Sequence, residues 1–201
     1  MRQTISKTKS GGYTIIETMI ATSLFIIVVM AGMGALLNAN RVHQKSQAMR
    51  SIIDNLSFVM EEMSRNLKTG YRYQCFDKGV NPSGGLGGAA SCPDGGAIAF
   101  ESGEGDPADP NDQWVYYMDL AIGKLYKSVE SAQFGTFYQL TPDEVVLDSV
   151  SGFSVLGAES PDEGDQQQPF VTIRLVGTIT SKGIVTPFSL QTSASHRLID
   201  I

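Results

Sequence analysis

"KSGGYTIIETMIATSLFIIVVMAGMGALL", residues 9–37, is the stretch that decides the fold. It begins with a lysine and a Gly-Gly pair, carries one carboxylate at Glu17, and then stays uncharged from Thr18 to Asn40, 23 residues, before Arg41. About 20 consecutive apolar residues cross the hydrocarbon core of a bilayer as a helix, so the stretch predicts a membrane-spanning helix. The preceding residues contain Arg2, Lys7 and Lys9 and no acid. Basic flanks stay on the cytoplasmic side, which predicts an N-terminus inside and export of everything after residue 40. A secretory signal shares the basic start and apolar run, but it expects a cut beyond the run, near Ala35 or Ala39 here. The Gly-Gly pair and Glu17 lie on the other side of it. A charged acid in a membrane helix costs roughly 2.5–3.5 kcal/mol on insertion scales, and such residues are paired and functional.

"GGYTIIE" followed by this apolar run resembles the signal of type IV pilins and type II secretion pseudopilins. The resemblance implies that a prepilin peptidase cuts on the cytoplasmic side after a glycine, N-methylates the new first residue and leaves the apolar helix in place. The family places a glutamate fifth in the mature chain, so the cut is expected between Gly12 and Tyr13, with N-methylation of Tyr13. The family's first residue is usually Phe; Tyr13 departs from that but keeps an aromatic ring. Glu17 would then be the assembly residue, its carboxylate neutralising the amine of a neighbouring subunit within a filament. The competing physical account is a carboxylate reaching the headgroups at the cytoplasmic face.

The helical pattern continues past the membrane. Val42, Met49, Ile52, Ile53, Leu56, Val59, Met60, Met63 and Leu67 recur at steps of three, four or seven and form one apolar stripe. No proline falls in residues 13–69, and Gly70 is a plausible stop. A continuous helix over those residues would be about 84 Å long, with Gly32 and Gly34 as its weak points. Its first half would sit in the membrane or the filament core, and its second half would pack on a globular head.

Residues 70–113 are rich in Gly, Pro and Ser and read as an irregular connection. Cys75 and Cys92, the chain's two cysteines, bracket it. Outside the cytoplasm they would form a disulfide, worth about 3 kcal/mol on loop-entropy grounds; two buried free thiols are the alternative. A zinc site from these cysteines with His43 and His196 would lack the paired spacing that zinc sites show. "GLGGAA" at 85–90 fits a loose dinucleotide-binding pattern, but neither a clear preceding strand nor a following amphipathic helix supports it. "NPS" at 81–83 has proline in the middle and fails as a glycosylation site. The acidic stretch at 101–114 offers Asp106, Asp109 and Asp112 as weak calcium candidates. Some pseudopilins hold calcium in the head, but the spacing here lacks an EF-hand pattern. A solvated acidic loop is the default, and no cofactor is expected.

From Trp114 onward the pattern is β. "WVYYMDLAIGKLYKSV" reads as two strands about a turn at 119–123, with further strands at "EVVLDSV", "GFSVLG", "PFVTIRLVGTIT" and "IVTPFSLQTSAS". Val171, Ile173 and Leu175 alternate with Thr172 and Arg174, as in a half-buried strand; residues 160–169 read as a polar loop. One long helix followed by antiparallel strands gives an α+β head. "FSLQTSASHRLID", residues 188–200, resembles the C-terminal end of J-type minor pseudopilins and related minor pilins. Neither a G-x-S-x-G nor an H-E-x-x-H motif occurs, and His196 in a terminal strand or tail is poorly placed as a base. No enzyme is expected.

These features divide the chain into a leader (1–12), a transmembrane and assembly helix (13–40) and a head (41–201). The expected function is that of a structural minor pilin or pseudopilin of a type IV pilus or type II secretion filament. Its partners would be the prepilin peptidase, other filament subunits, the inner-membrane assembly platform and membrane lipid. The alternative is a single-pass, membrane-anchored extracytoplasmic binding module that never polymerises. The formal net charge is −6, and losing the leader's three positive charges leaves −9. Such a surface disfavours nucleic acid.

Overall fold

A computed structural model describes residues 11–80, 82, 87–106, 109, 111–130, 137–159, 167–181 and 183–196. One helix, α1, runs over Ile15–Thr69. Among the described residues nine strands follow: β1 (Tyr71–Asp77), β2 (Cys92–Glu101), β3 (Trp114–Asp119), β4 (Lys124–Ser128), β5 (Tyr138–Gln139), β6 (Val145–Leu147), β7 (Gly152–Leu156), β8 (Phe170–Ser181) and β9 (Ile184–Ser195). All pair antiparallel in a single sheet. The architecture is α+β, as the order of patterns in the sequence requires. The chain divides into two compact units, Met1–Ser46 and Gln47–Ile201.

In the second unit the helix buries Ile52, Leu56, Val59, Met60, Met63 and Leu67 in one cluster with sheet residues that include Ile98, Phe100, Tyr116, Phe153, Ile173 and Leu175. Burying each such Leu, Ile, Met or Phe side chain contributes about 1.5–3 kcal/mol. The apolar stripe is narrower than its sequence pattern: Ile53 and Val42 are exposed. Polar contacts fix the rotation of the helix on the sheet. Asn66 Nδ2 donates to the Tyr116 hydroxyl at 2.9 Å, and Lys127 Nζ meets Glu62 Oε1 at 2.6 Å. The Tyr73 hydroxyl shares its one proton between the Gly70 carbonyl, at 2.6 Å, and the Leu67 carbonyl, at a helix end that leaves such groups without intrahelical partners.

Two long strands organise the sheet. β2 pairs with β1 and β3, and near its start with β7. β8 pairs with β9 along its whole length, and on its other edge with β7 and then β6. Along β8, Val171, Ile173, Leu175 and Ile179 are buried while Arg174 and Thr180 are exposed, the alternation that period-2 side-chain geometry demands. β3 and β4 flank the turn expected at 119–123.

The irregular connection expected over 70–113 is corrected. Within it lie β1 and β2, the latter buried along most of its length. Strand β1 therefore does precede the glycine-rich stretch at 85–90, and strand β2, not a helix, follows. Residues 81, 83, 85 and 86 of those motifs, residues 1–10 of the leader and residues 160–166 of the polar loop lie outside the described residues.

Candidate functional site

Gly11–Gly12–Tyr13–Thr14 precedes α1 without helical structure, and Tyr13 is 82% exposed. The helix begins at Ile15 because Thr14 caps it: the Glu17 amide donates to Thr14 Oγ1 at 3.3 Å and to the Thr14 carbonyl at 3.1 Å. Thr14-Ile15-Ile16-Glu17 is a capping-box sequence, a hydroxyl at the cap with a glutamate three residues on. The pattern is legible in the sequence alone. It gives Glu17 a local role besides the one implied by the resemblance: a carboxylate in the first turn also complements the positive end of the helix dipole, worth about 0.3–1 kcal/mol.

Beyond Glu17 the helix is long and apolar enough to cross a membrane, and none of its most apolar window is buried within the molecule. Its few hydroxyls suit a medium without water. Thr18 Oγ1 donates to the Ile15 carbonyl at 2.8 Å, Thr22 to Thr18 at 2.9 Å and Ser23 to Ile20 at 2.9 Å. Each of these three hydroxyls donates inside the helix, which lowers the penalty for placing it in hydrocarbon. Gly32 and Gly34 are helical.

In the head, Cys75 and Cys92 form a disulfide with Cα atoms 5.7 Å apart, tying β1 to the start of β2. They are therefore not zinc ligands. Because the bond joins two strands of the sheet, its loss should destabilise the sheet itself, not a loose loop. Cys75→Ser/Cys92→Ser is expected to lower unfolding stability by about 3 kcal/mol, read as the urea midpoint at equal slope; an unchanged midpoint would refute a stabilising bond.

The acidic candidates serve their own loop. Asp112 Oδ2 accepts from the Asp106 amide at 2.6 Å, and Asp109 Oδ1 accepts from the Asn111 backbone and side-chain amides at 2.9 Å. Among the described residues no three His, Cys, Asp or Glu side chains converge as a metal would need. Glu101, 1% exposed, accepts a 3.0 Å hydrogen bond from Gln113 Nε2. Burial, reinforced by the Asp112 charge, pushes its carboxyl above the ordinary range. Glu159 is the opposite case: hydrogen bonds from the Ser91 hydroxyl and amide hold its carboxyl below that range and pin residue 91 to 159. His196 is buried, with its ring 6.1 Å edge-on from Tyr73 and, among the described residues, no partner for either ring nitrogen. It is a core histidine.

No family model, curated protein or solved structure matches the chain.

Proposed function

We propose that this chain is a minor pilin or pseudopilin, a structural subunit of a type IV pilus or type II secretion filament. One observation carries the proposal: Gly-Gly-Tyr-Thr-Ile-Ile-Glu stands directly before 23 uncharged residues, and both lie at the start of a helix that continues, without a break, to Thr69. A simple membrane anchor needs the apolar run but has no use for a glycine pair followed five residues later by a glutamate. In the proposed life cycle the chain inserts with its N-terminus in the cytoplasm and its head outside. A prepilin peptidase removes residues 1–12 and methylates Tyr13. The assembly platform then draws the helix into a filament. A disulfide-bonded head suits an oxidising compartment outside the cytoplasm.

Maturation provides the test. Co-expressed with a prepilin peptidase, the chain should lose residues 1–12 and begin at N-methyl-Tyr13, as read by intact mass. Gly12→Val should leave it uncut, because a branched side chain does not fit where the peptidase accepts glycine. A cut beyond residue 34 would instead mark an ordinary exported protein.

A second reading draws on the capping geometry. Thr14 and Glu17 also make sense as the start of a stable anchor helix, so a membrane-anchored binding module that never polymerises would account for Glu17 without a neighbour. That reading expects no processing at Gly12.

A further inference from the structure

We infer that the head carries a binding site for a neutral carbohydrate around Trp114, at the C-terminal end of α1. A recess of about 460 Å³ opens there, lined by Asn66, Lys68, Thr69, Ser102, Gly103, Glu104 and Trp114. All of these residues belong to the second unit. Its wall is built by close backbone approach: a Cβ on Gly103 would stand 2.5 Å from the Thr69 carbonyl oxygen, so only glycine lets residues 102–104 lie against the helix end. The volume accommodates a hexose.

The indole is preorganised. Trp114 is half-buried, and its ring packs against Phe100 with centroids 6.3 Å apart. Lys127 Nζ lies 4.1 Å from the indole centroid and is itself held by Glu62 at 2.6 Å. A fixed aromatic surface loses little freedom when a ligand covers it.

Around that surface the hydrogen-bonding groups favour acceptors. Helix ends leave their last carbonyls without intrahelical donors. Those of Leu67 and Gly70 share the single Tyr73 hydroxyl proton, and that of Asn66 receives the Gly70 amide and the Thr69 hydroxyl. Among the described residues the Lys68 and Thr69 carbonyls remain, together with the Glu104 carboxylate and the Asn66 amide oxygen. Lys68 and Glu104 are exposed and not paired with each other.

Such a site takes a ligand with many donors and one apolar face. Anions are disfavoured by the acceptor surplus and the negative end of the helix dipole. An organic cation would ordinarily suit an indole, but the Lys127 ammonium already occupies that interaction and Lys68 stands on the rim, so a second positive charge would be repelled. A sugar ring meets both requirements: its C–H face packs on the part of the indole that lines the recess, and its hydroxyls donate to the carbonyls and Glu104 while accepting from Lys68 and Ser102.

Trp114 is the chain's one tryptophan, so intrinsic emission reports on this recess. The full chain is held in a detergent without a sugar headgroup and titrated separately with glucose, galactose, N-acetylglucosamine and choline. At least one sugar should change the emission saturably with a Kd in the millimolar range, of order 1 mM. Glu104→Gln with Lys68→Met should weaken it about tenfold, as expected on losing hydrogen bonds to charged groups. Both side chains are exposed, so the fold should persist. No saturable change up to about 100 mM, saturation by choline alone, or a sugar response indifferent to the double substitution would each overturn the assignment. None of these outcomes depends on processing at Gly12, so the carbohydrate site and the filament proposal stand or fall separately.

Discussion

Glu17→Ala is expected to insert, to be cut after Gly12 and to fold its head, yet to fail to enter a filament. After the cut, Tyr13 would carry a cationic amine a few residues from Glu17. In a bundle of such helices each amine and carboxylate would be satisfied only by a neighbour. Removing one partner of a buried pair costs about 3–5 kcal/mol because the other is left uncompensated, which corresponds to a loss of incorporation of about a hundredfold or more. Insertion could only improve, since a costly polar group leaves the apolar helix. The capping geometry makes the control necessary. Alanine keeps the amide that meets Thr14 but removes the third-position acid of the capping-box sequence, and a frayed first turn could by itself hinder assembly. Glu17→Gln separates the two effects, because glutamine serves in a capping box but carries no charge. Crosslinking to the other filament subunits at equal membrane levels is the readout. Loss in both variants points to charge pairing; loss in Ala with full rescue by Gln points to the cap; incorporation of Ala at the wild-type level sinks the pairing account and leaves a carboxylate reaching the headgroups at the cytoplasmic face as the better one.

What the sequence disclosed depended on how far each signal reached along the chain. The uncharged run and the apolar stripe are properties of consecutive residues, and both mark α1. The strands after residue 114 alternate visibly. β1 and β2 were hidden for a physical reason. "YRYQCFD" carries Arg72, Gln74 and Asp77, and "CPDGGAIAFE" carries Pro93 and two glycines, so local propensity favours turns. They become strands through partners distant in sequence: β2 sits against β1, β3 and β7, and Tyr73 is buried under the end of α1. β1 also carries irregularities that no propensity rule anticipates, with a register shift between Tyr71 and Gln74 and Arg72 at a φ of 56°. The stripe overstated the core because a helix on a sheet buries a narrower arc than a pattern of apolar residues suggests; Ile53 fits the pattern and still faces solvent. The recess at Trp114 was illegible, since it joins residues 66–69, 102–104 and 114, which only the fold brings together.

Gly177→Val is expected to cause a large loss of stability in the second half of the sheet. Gly177 lies in β8 between Leu147 of β6 and Phe188 of β9. A Cβ there would collide with the Val146 carbonyl oxygen and come within 3.0 Å of Leu147 Cα. Both are backbone atoms, so no rotamer change relieves the clash. β6 cannot slide away freely, because its other side is tied to the turn before β4: the Leu147 amide donates to the Gly123 carbonyl at 2.9 Å, and Lys124 Nζ donates to the Val145 carbonyl at 2.7 Å. The strand must therefore lift, breaking its three pairings with β8 and uncovering Val145 and Leu147, both buried. Overpacking costs about 1–3 kcal/mol and each uncovered aliphatic side chain about 1.5–3 kcal/mol, so a total of about 4 kcal/mol or more is expected. For a domain of this size that lowers Tm by about 10 °C or more. Gly183→Ala is the comparison: its φ of 78° is also unfavourable for alanine, but a Cβ there meets nothing within 4 Å, so a loss of only about 1–2 kcal/mol is expected from backbone strain. Circular dichroism melts of the full chain in detergent read both. A Gly177→Val melt no lower than that of Gly183→Ala would mean that β6 does not pack on β8 in this register.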